Sequence, residues 1–122
     1  LSTSKPTADV EAVLAATMQQ PSSTFVNLDG SGATEVLVVL SSDGTGYVAR
    51  HNLPALTDGR TYQLWAVIDD RVISAGVLGP DPGVVPFRVD TPDLQGFAIT
   101  AETSGGVAVS SEQPVAAWLK DA

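Results

Sequence analysis

The sequence predicts a mainly β chain, an antiparallel β-sandwich of about eight strands preceded by one short N-terminal helix. Three observations predict it. Beyond Pro21 every apolar run is short, and Gly, Pro or Asp interrupts the chain about every 8 to 14 residues. Two of these runs, Val36–Leu40 and Tyr62–Ile68, are largely apolar at successive positions, as in central strands covered on both faces. Helical spacing of apolar residues occurs only before Pro21.

In chain order, residues 1–6 read as a flexible tether, and 7–122 as a single β-sandwich domain. Thr7 is a candidate N-cap, with Asp9 and Glu11 set to favour the positive end of a helix dipole. Val10, Val13, Leu14, Thr17 and Met18 follow a helical repeat and predict a helix over about residues 8–17. Pro21 stops it. Strands are expected over 24–28, 34–41, 46–53, 62–68, 71–77, 84–89, 96–102 and 115–119. Tyr47, Ala49, His51 and Leu53 should share one side of the third strand. Pro86 marks the short sixth run as an edge strand, because proline cannot donate to a ladder.

Tyr62–Val77 is the organising hairpin. Tyr62, Leu64, Ala66 and Ile68 share one face; Gln63, Trp65 and Val67 share the other. Its arms meet at Asp69-Asp70-Arg71, a short polar corner where Asp70→Ala should behave as an ordinary surface change.

Six basic against fourteen acidic residues give a net charge of −8. Such a surface repels phosphate backbones, so no nucleic-acid partner is expected, and it gains nothing from anionic lipid. The absence of cysteine removes disulfides, thiolate metal sites and thiol nucleophiles together. No run approaches the length of a membrane-spanning helix.

The chemistry-bearing residues do not assemble into a motif. His51 is the only histidine and reads as a packed or surface residue, since no nucleophile-elbow pattern accompanies it. Asp29, Asp43 and Asp58 each precede glycine, which is turn chemistry, and none has the spacing of a calcium loop. Asp69 and Asp70 point apart at a hairpin tip, so they do not share a proton. Neither catalytic residues, nor a cofactor site, nor a metal site is expected. Tyr62, Trp65, Phe97 and Trp118 read as sandwich core, with a sugar-binding groove as the competing use of four aromatic rings.

Tyr62-Gln63-Leu64-Trp65, then Ser74-Ala75-Gly76, then Thr100, Glu102 and Gly105-Gly106, resemble the extracytoplasmic C-terminal domain of RskA-type anti-sigma factors. Asp9–Ala16 extends the resemblance to the start of the chain. One departure from the family pattern follows Gly106, where Val107–Gln113 intervenes before Pro114 in place of a short Ser- and Pro-rich turn. The resemblance implies that these signature residues are structural. It also implies a sensory or regulatory domain on the outer side of a bacterial membrane, tethered by a transmembrane helix that this chain does not contain. A cytoplasmic domain, also outside this chain, would hold an extracytoplasmic-function sigma factor, and regulated proteolysis by a site-1 protease would release it; another extracytoplasmic protein is the alternative partner. The competing class is a secreted or surface β-sandwich that binds carbohydrate or protein.

Overall fold

The computed structural model describes residues 6–30, 32–57, 59–89 and 93–120. Its elements are helix α1 (Pro6–Met18) and strands β1 (Thr24–Asp29), β2 (Glu35–Leu40), β3 (Thr45–His51), β4 (Arg60–Ile68), β5 (Arg71–Gly79), β6 (Val85–Arg88), β7 (Leu94–Thr103) and β8 (Ala116–Leu119). The tether expected over 1–6 lies outside the described residues except for Pro6, which opens α1.

All pairings are antiparallel, in the order β5-β4-β7-β8-β1-β2-β3-β6. Two halves, β5-β4-β7-β8 and β1-β2-β3-β6, face each other as in a sandwich. They are joined along one side by a single bridge, Asp29↔Ala117. The sheet therefore rolls into a barrel-like form, and β5 and β6 come alongside each other without pairing.

Period-two alternation explains what fills the interior. Val26 and Leu28 of β1, Val36, Val38 and Leu40 of β2, and Val48 of β3 meet Tyr62, Leu64 and Ala66 of β4. Leu78, Phe87, Phe97, Ile99 and Ala116 complete the core. Phe97 is packed edge-on to Phe87, with centroids 5.6 Å apart, and lies 6.2 Å from Trp118. The core reading thus holds for Tyr62 and Phe97, and Trp118 packs against the core partly buried.

Several expectations are corrected. Helix α1 begins at Pro6, so Thr7 lies within the first turn and is not its N-cap. Val13 is 51% exposed and Met18 also faces solvent. The helix lies on the convex outside of the barrel and touches it along a narrow line of Val10, Leu14 and Thr17, against Val39 and Tyr47. The side chain of Ser23 donates to the Thr17 carbonyl at 2.6 Å and helps close the last turn. Tyr47 and Ala49 join this outer cluster, but Ala49 is a bulge, since Val48 pairs with Val38 and Arg50 with Leu37. The alternation shifts there, so His51, opposite core Val36, faces inward and Leu53 lies in the core. Pro86 does sit on an edge strand, paired only through β3.

Candidate functional site

The signature residues divide between the two faces of β4 and its neighbours. Tyr62 and Leu64 enter the core. The Tyr62 hydroxyl donates to the Pro54 carbonyl. Burial, reinforced by the charge of Asp81, raises its pKa above the usual 10.0. On β5, Ala75 packs against the core and Gly76 stands at a bulge with φ 152°.

The other face carries polar residues where a barrel exterior would ordinarily be wet, yet they are buried. The 104–115 loop lies across them like a strap. Gln63 and Trp65 are each 2% exposed. The Gln63 amide nitrogen donates to the Ser74 hydroxyl at 2.8 Å and to the Val107 carbonyl at 2.9 Å. Its oxygen accepts the Val107 N–H at 2.9 Å. Gln63 thereby treats the Val107 peptide as a strand neighbour would, through both donor and acceptor.

A second chain of bonds runs beside it. The Trp65 indole N–H donates to the Thr100 hydroxyl at 2.8 Å, and Thr100 donates to Glu102 Oε2 at 2.6 Å. Ser110 on the strap donates to the same carboxylate oxygen, and its hydroxyl accepts the Glu112 N–H at 3.0 Å. The register makes this possible: Thr100 pairs with Gln63 and Ala98 with Trp65, so the indole reaches its diagonal neighbour. No buried side-chain nitrogen or oxygen is left without a partner among the described residues.

Gly105 and Gly106 start the strap, with φ 92° and 81°. At Gly106 a side chain is excluded twice over: its φ is left-handed, and a Cβ would lie 2.7 Å from Val77 Cγ2 and 3.0 Å from Gln63 Oε1. Gly106 N–H bonds back to Thr103 at 2.9 Å, and the strap ends where Val115 N–H meets the Ile99 carbonyl at 2.7 Å. Between strap and sheet remains an apolar groove of about 360 Å³ beside Trp65, Val67, Val72, Val109 and Pro114.

This arrangement positions the strap and covers the sheet. The Ser110 hydroxyl is committed to Glu102, and His51 is elsewhere. His51 Nδ1 accepts the Leu53 N–H at 3.0 Å, so Nε2 carries the proton and donates to the Pro82 carbonyl at 2.7 Å. Both ring nitrogens hold loop backbone. Asp43 accepts the Thr45 N–H at 3.0 Å; that bond, the Thr45 and Ser41 hydroxyls and nearby Arg88 lower its pKa. Asp29 closes β1, and Asp58 lies outside the described residues. Asp69 and Asp70 occupy the hairpin turn with φ 56° and 64°. Among the described residues no three metal-ligating side chains converge. Tyr62, Trp65, Phe97 and Trp118 are not gathered in one groove: Tyr62 and Phe97 lie in the core, Trp65 under the strap.

Sequence reasoning missed Ser110 and Val107 as partners of the signature. A signal for such partners was present: Gln63, Thr100 and Glu102 are polar on the outward side of otherwise apolar strands, and polar groups buried there require hydrogen bonds.

The family profile described as anti-sigma-K factor RskA, C-terminal, matches residues 2–115, nearly the whole chain. No curated protein and no solved structure matches it. On that match the chain belongs to the RskA C-terminal family, whose role is regulatory rather than enzymatic.

Proposed function

We propose that this chain is the extracytoplasmic sensory and regulatory domain of a membrane-spanning anti-sigma factor. In this reading a transmembrane helix joins it to a cytoplasmic domain that holds an extracytoplasmic-function sigma factor inactive. Regulated proteolysis then releases the sigma factor when this domain is perturbed, with a site-1 protease or another extracytoplasmic protein as its partner. The family match over residues 2–115 carries the proposal.

The site supports a regulatory rather than a chemical role. Its buried polar residues are spent on holding the 104–115 strap, so the signature residues are structural in this reading. No helix among the described residues is long and apolar enough to cross a membrane. The carbohydrate-binding alternative draws little support from the aromatic residues, because Trp65 offers no exposed ring face for stacking.

The test removes residues 22–122 from the full-length protein and reads a sigma-dependent reporter in cells. Sigma-factor release should change, whereas residues 1–122 alone should not bind the sigma factor in solution. An unchanged reporter, or tight binding by the isolated chain, overturns the proposal.

A further inference from the structure

The two ends of the rolled sheet are finished differently. β6 is four residues long and contains Pro86, which has no N–H to offer a further strand. β5 is nine residues long and exposes three β-branched side chains, Val72, Ile73 and Val77.

The register shows which part of this edge is open. Ile68 pairs with Arg71 across a two-residue turn, and such flanking pairs exchange both main-chain bonds. Alternation then gives Ala66–Ile73 the next bonded pair and turns the N–H and C=O of Val72 and Ser74 away from β4. Among the described residues, no main-chain group outside β4 bonds to residues 71–78. Beyond Ser74 two bulges interrupt the ladder, at Ala75 and at Leu78, and they twist the remainder of the strand. The regular open edge is Arg71–Ser74.

Its side chains are apolar toward both faces. Val72 is 63% exposed on the outer face, at the rim of the groove that Val67, Val109 and Pro114 line. Ile73 pairs with Ala66 and faces the inner side, also exposed. The adjoining tip carries Asp69 and Asp70 against Arg71 alone, on a chain of net charge −8.

We propose that the Arg71–Ser74 edge docks an extended segment of another protein. The segment adds to the sheet as a further strand, bonding the outward main-chain groups of Val72 and Ser74. It carries apolar side chains against Val72 and Ile73, and a Lys or Arg beside Asp69 and Asp70. A second copy of this chain is the poorer occupant, because pairing brings two charges of −8 together. The surface is independent of any role in sigma-factor control.

A displayed library of linear heptapeptides, selected on residues 1–122, tests this. Enriched sequences should alternate β-branched or aromatic residues and carry Lys or Arg at one end. Val72→Pro deletes the outward N–H, which no β4 group uses, together with the valine side chain, and Val72→Lys keeps the backbone but adds a positive charge. Each should weaken the selected peptides about tenfold or more, with thermal melts confirming that both variants fold. The proposal is overturned if no sequence enriches over Val72→Pro, if enriched peptides are acidic, if they bind both variants as well as the parent, or if the parent forms a dimer that Val72→Pro abolishes.

Discussion

Helix α1 and the 104–115 strap each cover one patch of the barrel's outside, and they do so with opposite chemistry. The helix rests on Leu14, which packs against Val39 and Tyr47 in a small apolar cluster. The strap contributes little apolar contact; its Val109 is 85% exposed. It is held by Gln63 on Val107 and by Glu102 on Ser110. Apolar contact is non-directional and tolerates sliding. A network of paired donors and acceptors admits one register, and its loss leaves buried groups unsatisfied. The strap side is therefore expected to be the more exacting of the two, and it holds nearly all the outward-facing signature residues.

The comparison breaks most visibly at Trp65. Trp65→Ala removes a buried ring on the strap side and the donor to Thr100, at an expected cost of about 3–5 kcal/mol. For a domain of this size that is a large part of a total near 5–15 kcal/mol. Denaturant melts measure it; wild-type stability would mean that the ring does not support the strap. On the helix side, Leu14→Ala should cost about 2–3 kcal/mol, the low end for a buried leucine because the cluster is shallow. Hydrogen exchange should then quicken in α1 and leave the strap unchanged.

Gln63→Ala reverses that pattern. It strips the Val107 peptide of both partners at an expected cost of about 1–3 kcal/mol. Faster exchange should appear at Val107 and Ser110 while α1 keeps its protection. Equal effects on both covers would show that they are coupled. The smallest change concerns the hairpin tip. Asp70 has φ 64°, which corrects the expectation of an ordinary surface position. Asp70→Ala should cost about 1 kcal/mol, since alanine tolerates the left-handed region less well than aspartate. Asp70→Gly should match or exceed the parent in a thermal melt.

Much of the strand pattern was legible because it is local. Alternation along Tyr62–Ile68 separates core residues from outward ones without any knowledge of neighbours. The position of Pro86 likewise marks an edge wherever the strand goes. Helix α1 was legible in existence but not in its contact line: a helical stripe of Val10, Val13, Leu14, Thr17 and Met18 does not say how narrow a convex surface will be. His51 and Leu53 were misassigned because strict alternation was carried through Ala49, where a bulge shifts it by one residue.

By itself, the sequence determined the class of the fold, the central hairpin and the residues that mark the family, since turn chemistry and period-two patterning act over a few residues. Only the tertiary structure decided that the two halves join through Asp29 and Ala117 into a rolled sheet. Only it decided that Gln63 would find Val107, and Trp65 would find Thr100, across separations of 44 and 35 residues. Side-chain hydrogen bonds leave no periodic trace in a chain; each partner is chosen by where the backbone brings it, and that depends on every strand packed between them.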